Sequence, residues 1–433
     1  MNIETLHQLF LESKGVATDT RAIKTNQLFF ALTGNHFNGN LFAKKALSKG
    51  ASHAIIDKEI DEQNERYILV DNVLDTLQKL STYHRKFLNI PILAITGSNG
   101  KTTSKELIHA VLKKKFNTIA TVGNLNNHIG VPLTLLSMNS KTEFGIVEMG
   151  ANHHKEIEKL CEIARPNYGY ITNFGKAHLE GFGSLEGVVA AKSELYNYLK
   201  AFNGKLFLNI DDPIQLKQID YHNIFTFGES NSADVIIDYD NSKTLAEVQY
   251  QETTIKSQLT GNYNALNIAA SICIGLYFKI PIESIQKAIF NYSPKNNRSQ
   301  IVKCGSNAIL MDAYNANPTS MKAALESFKA NPADNKIVIL GDMFELGATS
   351  EEEHQYIVDF LKNLNLKQIF LVGKNFFKTQ SKNQKIKKFE NFSDLQLNLE
   401  TEEVQNSYIL IKGSRGMALE RVLEVLKLKK ASQ

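Results

Sequence analysis

Four apolar residues, Ile92-Leu93-Ala94-Ile95, run without alternation into the polar turn Thr96-Gly97-Ser98-Asn99-Gly100-Lys101-Thr102-Thr103. A strand that is apolar at every position is covered on both faces, as in a parallel sheet. Beyond this turn, apolar runs and helical periodicity alternate. Residues 145–149, 168–173 and 205–209 read as strands, and 155–163 and 185–200 as helices. This order predicts a parallel sheet with helices on both faces. Residues 234–258 break the alternation, and runs such as Val235-Ile236-Ile237 suggest antiparallel strands. A helix rich in small apolar residues is expected over 264–278.

On the N-terminal side, residues 1–15 carry the spacing of an amphipathic helix. Short strands are expected at 27–32 and 53–56, and helices at 41–50, closed by Gly50, and at 74–87. The polar stretch Ser293-Pro294-Lys295-Asn296-Asn297 is the best linker. After it the alternation restarts, with strands at 308–312, 336–340, 369–372 and 408–411 and helices at 318–329 and 419–428. No internal repeat is found. The expectation is an α/β protein of three domains: a small N-terminal α/β domain over 1–89, a central P-loop-type parallel-sheet domain over 90–294, and a C-terminal Rossmann-like α/β domain over 295–433.

Composition narrows the class without changing this picture. The 433 residues exceed one ordinary core, and 43% hydrophobic with 22% charged residues is usual for a globular chain. A net charge of +4, from 49 basic and 45 acidic residues, is too balanced to argue for nucleic acid. Cys161, Cys273 and Cys304 form no disulfide or zinc pattern and suit a reducing compartment. The N-terminus, with Glu4 and Glu12, does not read as a signal peptide, and no apolar run is long enough for a membrane span. A cytoplasmic protein without membrane insertion is expected.

Gly97 and Gly100 let the backbone turn successive N–H groups toward an anion. Lys101 can reach the outer phosphates, Thr102 can offer its hydroxyl to a metal, and a helix begins with its positive end aimed at the ligand. The pattern is the short G-x-x-G-K-T form, since Ile95 stands where the longer loop has glycine. Four other segments bear on chemistry. Glu148 closes an apolar strand, where a magnesium ligand belongs, although strands often end in a solvated acid. His178 follows the strand end at Asn173 and could bind metal or phosphate, although a lone loop histidine is usually a surface residue. Lys192 lies mid-helix, where a lysine is normally a solvated charge. Asn124-Leu125-Asn126-Asn127, before Gly130 and Pro132, could hold a phosphoryl group or simply cap a turn.

Taken together, these segments resemble the Mur ligases, ATP-dependent amide-forming enzymes of bacterial peptidoglycan synthesis. Asp312-Ala313-Tyr314-Asn315-Ala316-Asn317-Pro318-Thr319-Ser320-Met321, Gly341-Asp342-Met343-Phe344-Glu345-Leu346-Gly347 and Lys412-Gly413-Ser414-Arg415-Gly416-Met417 extend the resemblance over the whole chain. It is nearest the branch that joins D-alanyl-D-alanine to UDP-N-acetylmuramoyl-tripeptide. The resemblance implies a catalytic set of Lys101, Asn127, Glu148, His178 and Lys192. It implies ATP contacts from Gly97, Ser98, Asn99, Gly100, Lys101, Thr102 and Thr103, from Asn264 and Asn267, and from Arg298 and Asp312. Two magnesium ions follow, on Thr102 and Glu148 and on His178, with Lys192 carbamylated into a metal-binding anion. Asp19, Thr20 and Arg21 match the segment that holds the UDP end. Tyr314, Asn315, Asn317, Ser320, Lys412, Ser414 and Arg415 match the substrate-contacting motifs of the last domain. A monomer is expected.

Two other readings remain at this level. One is another ligase of the family, or a folylpolyglutamate-type ligase, adding a single amino acid. The other is a plain nucleotide switch or kinase. A GTP switch needs N-K-x-D, which Asn335-Lys336-Ile337-Val338 lacks, and a kinase gives no role to His178 and Lys192.

Overall fold

A computed structural model describes residues 1–60, 64–240, 243–402 and 404–431. Four sheets of three or more strands follow one another along the chain. The first is parallel, in the order Val16–Ala17, Leu28–Phe30, His53–Ile56, Tyr67–Leu69. The helices Ile3–Glu12 and Val73–Leu88 cover it. The expected helix over 41–50 is a 3-10 turn, Gly39–Phe42, followed by a short helix, Ala43–Ser48.

The second sheet has seven strands, all parallel, in the order Val235–Ile236, Ile224–Gly228, Lys205–Asn209, Tyr168–Ile171, Ile92–Thr96, Phe144–Glu148, Thr118–Ala120. The pleat sends Leu93 and Ile95 into one core layer and Ile92 and Ala94 into the other, which is why this strand reads as continuously apolar. Ile92–Thr96 sits where the strand order reverses, so its carboxyl end opens onto the crevice that such sheets use for ligands. Val235–Ile236 corrects an expectation. It pairs in parallel with Ile224–Gly228 as the sheet's edge, and the antiparallel sheet begins only at Asp238–Tyr239, continuing through Leu245–Tyr250 and Thr253–Thr260. Apolar runs look alike in both settings; the pairing depends on the strand beside it.

The last sheet has six strands, in the order Gln300–Cys304, Asn307–Asp312, Tyr408–Lys412, Lys336–Gly341, Gln368–Val372, Ile386–Phe389. Only the first pair is antiparallel. The carboxyl ends at Asp312, Gly341 and Lys412 therefore lie side by side. The final helix is Val422–Ala431, preceded by a 3-10 turn over Leu419–Arg421, where a single helix from residue 419 was expected. Cys161, Cys273 and Cys304 are buried, and none of them is disulfide-bonded. Among the described residues no helix is long and apolar enough to cross a membrane.

Candidate active site

The glycine turn is held by the neighbouring strand's end. Thr172 Oγ1 and Asn173 Nδ2 donate to the Asn99 carbonyl at 2.5 and 3.0 Å. Asn173 Oδ1 accepts from the Asn99 N–H at 3.0 Å, and Ser98 Oγ exchanges hydrogen bonds with the backbone of Gly175. Gly97 has φ +139°, and a Cβ there would run into Thr172 Oγ1. Gly100, at φ +80°, lets the chain enter the helix Lys101–Leu112. Lys101 folds back so that its ammonium donates to the carbonyl of Gly97 at 2.6 Å and of Ser98 at 3.3 Å. Burial, with the charge of Arg298, draws its pKa down to about 8, against the opposing pull of Glu148.

This turn forms one wall of a cavity of about 960 Å³ between the seven-stranded and six-stranded sheets. Of the site residues expected from sequence, all line it except Gly97, Lys192, Asp19, Thr20 and Arg21. Gly97 lies behind the turn it shapes. Arg21 is an exposed side chain paired with Asp19 at 2.7 Å, and the Thr20 carbonyl accepts from Lys49 Nζ at 2.9 Å. That pairing holds the Asp19 carboxyl down at about 2. A second cavity, of about 660 Å³, lies at the opposite, amino ends of the central strands of the seven-stranded sheet. Its Arg85 donates to the Ala164 and Arg165 carbonyls, so its charge answers a helix carboxyl end.

Glu148 is buried beside the turn. Its Oε1 accepts from Asn126 Nδ2 at 2.9 Å and from Thr102 Oγ1 at 3.2 Å, whereas Oε2 has no hydrogen-bond partner. A buried carboxylate whose Oε1 lies beside a threonine hydroxyl is a hard-oxygen donor set that suits magnesium. Among the described residues no three His, Cys, Asp or Glu side chains converge on a common point. Asn127 serves a turn, one of the two roles open to it on sequence: its Oδ1 accepts from the N–H groups of Ile129 and Gly130, just where the helix Gly130–Leu136 begins. Its neighbour Asn126, which spacing did not single out, reaches the carboxylate instead.

His178 Nδ1 lies 2.5 Å from Glu345 Oε2, a contact that lowers the Glu345 pKa. Lys192 is fully buried beneath the Phe182 ring, 5.2 Å from its centroid, and donates to the Ala151 carbonyl at 3.3 Å. Burial first, then the charge of Lys101, brings its pKa to about 7, although Glu156 and Glu194 pull upward. A large share of this amine is neutral near pH 7, the form that adds carbon dioxide.

The opposite wall comes from the six-stranded sheet. Lys412 Nζ donates to Asp312 Oδ2 at 2.6 Å and to the Asn315 carbonyl at 3.2 Å. Arg298 stacks on the Tyr314 ring at 3.8 Å, and its Nε has no partner. Arg415 pairs with Glu420, and Ser414 Oγ accepts from the Phe344 N–H. Ser320 and Asn317 cap the helix Pro318–Ala330 reciprocally, and Asn317 Nδ2 crosses to Asn99 Oδ1 at 2.8 Å. Asn264, Asn267 and Ser104 form an amide and hydroxyl chain behind the turn, and Tyr263 bonds Ser299 Oγ at 2.7 Å.

Residues 95–275 match the Mur ligase middle domain, and residues 297–415 match the Mur ligase glutamate ligase domain. The UDP-N-acetylmuramoyl-tripeptide–D-alanyl-D-alanine ligase of Bacillus subtilis is 34% identical over 95% of this chain and 93% of its own. The ligase of the same name from Escherichia coli is 31% identical over 95% and 93%. The crystal structure of MurF from Acinetobacter baumannii superposes with a TM-score of 0.86 at 28% identity, covering 97% of this chain and 98% of that one. That of the Thermotoga maritima MurF ligase in complex with ADP gives 0.84 at 28% identity, covering 98% and 99%.

Proposed function

The chain belongs to the Mur ligase family, and we propose that it joins D-alanyl-D-alanine to UDP-N-acetylmuramoyl-tripeptide at the expense of ATP, in the cytoplasm. The observation that carries this reading is the cavity in which the phosphate turn, Glu148 and His178 face Asp312, Arg298 and Lys412 from another sheet. In this reading residues 1–89 hold the UDP end through Asp19, Thr20 and Arg21. Residues 90–294 hold the nucleotide, and residues 295–433 supply ribose and phosphate contacts and receive the dipeptide.

A carboxylate is a poor electrophile, so it must be activated before an amine can attack. The tripeptide carboxylate attacks the γ-phosphate, giving an acyl phosphate and ADP. The dipeptide amine then displaces phosphate through a tetrahedral intermediate. Two anions must meet in the first step. Lys101 exchanges its loop carbonyls for phosphate oxygens, and the N–H groups at the start of its helix point at the same anion. Thr102 and Glu148 are the residues that would hold one magnesium ion. His178 and a carbamylated Lys192 would hold a second. Magnesium, when bound, supplies charge neutralisation and alignment of the phosphates. For His178 to serve in this way, it must leave Glu345.

Phosphate release, followed across UDP-muramoyl peptides and candidate amines, tests the assignment. Release is expected with D-alanyl-D-alanine and the tripeptide substrate together. Equal release with single amino acids would favour a ligase that extends by one residue.

A further inference from the structure

Lys105 stands one turn after Lys101 on the helix Lys101–Leu112, and its side chain is completely buried. A buried ammonium persists only where acceptors surround it. Its Nζ donates to the Thr121 carbonyl at 2.5 Å and lies 2.9 Å from Glu106 Oε1 and 3.9 Å from Glu148 Oε2. The two oxygens of Glu148 therefore live in different surroundings. Oε1 is on the side of Thr102 and Asn126, which both donate to it. Oε2 has no hydrogen-bond donor and is drawn toward the Lys105 charge. The same corner fixes the backbone, because the Glu148 N–H donates to Thr121 Oγ1 at 2.9 Å.

We propose that Lys105 is a specificity-determining positioning residue: by holding back Glu148 Oε2, it makes Glu148 offer a divalent cation one oxygen, which favours magnesium over calcium. This rests on the reading of Glu148 as a metal ligand. Magnesium takes six ligands in a tight octahedron near ~2.1 Å and uses carboxylates one oxygen at a time. Calcium accepts more ligands at longer distances and readily takes both oxygens of a carboxylate. Without the ammonium, Oε2 is free to swing toward the cation. Removing a positive charge also strengthens attraction to any dication, but by the same Coulomb energy for both. The ratio of the two affinities isolates geometry from charge.

The test uses the full chain bound to the β,γ-methylene analogue of ATP. Magnesium and calcium compete with manganese, and free manganese is read by electron paramagnetic resonance. Three variants are compared with the parent: Lys105→Met, Lys105→Gln and Glu148→Gln. Glutamine keeps an N–H donor for the Thr121 carbonyl, so it preserves folding where methionine strands that carbonyl. Both Lys105 variants are expected to lower the magnesium-to-calcium affinity ratio about tenfold, and Glu148→Gln to weaken both ions. A purely structural lysine would change the unfolding temperature and leave the ratio alone. An unchanged ratio in folded Lys105→Gln, with both ions still weakened by Glu148→Gln, overturns the role of Lys105 alone. If Glu148→Gln weakens neither ion, the reading of Glu148 falls and takes the proposal with it.

Discussion

Half-buried Lys101 and buried Lys192 both have pKa values drawn down by their surroundings, yet the proposed mechanism asks them for opposite protonation states. In the proposed function Lys101 holds phosphate as a charged group, and burial draws its free-state pKa down to about 8. Raising pH through that value removes the charge, so ADP affinity is expected to fall steadily above about pH 8. Lys101→Arg, whose guanidinium stays charged, should flatten that dependence even if binding is weaker overall. Calorimetric titration of ADP from pH 6.5 to 9.5 checks both slopes. Lys101→Ala should lower kcat/KM about a hundred- to thousandfold, the usual cost of losing one charged stabiliser of a developing anion. At this scale the sequence was readable wherever neighbours in the chain act together, as in Gly97 to Thr103. Asn126, Lys105 and Glu345 were not readable, because each acts on a residue that only folding brings near.

Helices and strands carry a second kind of information, in how their ends and faces meet. The helices Ile3–Glu12 and Val73–Leu88 are bridged by His7 Nε2 and His84 Nδ1 at 3.0 Å, and His84 Nε2 reaches the Met138 carbonyl at 3.0 Å. Burial, and then the charge of His84, depress the His7 pKa to about 4. Burial also lowers that of His84. The unfolded chain therefore binds more protons than the folded one between about pH 6.5 and 4. Stability is full above that window and lost as pH falls through it, by about 2 kcal/mol from His7 alone. Urea unfolding at pH 7.5 and 4.5 measures the difference, and His7→Gln should shrink it. Element types were legible where periodicity was long, as in 185–200, found as Leu185–Ala201. They were not legible where a partner strand decides: Val235–Ile236 takes its parallel pairing from Ile224–Gly228, whereas the turn made by Asn127 was one of the readings its amide-rich segment allowed.

The whole molecule depends on contacts between sheets that no local pattern announces. Lys176 Nζ meets Glu353 Oε1 at 2.6 Å, its N–H donates to Thr319 Oγ1 at 3.1 Å, and the Glu180 N–H donates to the Glu345 carbonyl at 3.1 Å. With Glu345 on His178 and Asn317 on Asn99, these contacts tie the segment after Tyr168–Ile171 and the phosphate turn to elements of the six-stranded sheet's domain. Their polar character suits a cleft that opens and closes. Glu345→Ala with Glu353→Ala should enlarge the nucleotide-free radius of gyration in solution scattering, and the ATP analogue should reduce it again. Identical scattering from parent and variant would show that these contacts do not hold the cleft. The three-domain α/β expectation came from alternation along the chain, but the meeting of Asp312 with the phosphate turn required the fold itself.

In the proposed reaction the tripeptide carboxylate attacks the γ-phosphate before the amide forms. Oxygen-18 in that carboxylate tests it most directly, with the phosphate released during D-alanyl-D-alanine ligation analysed by mass spectrometry. With both carboxylate oxygens labelled, each phosphate released is expected to carry one labelled oxygen. Unlabelled phosphate alongside normal amide product would contradict it.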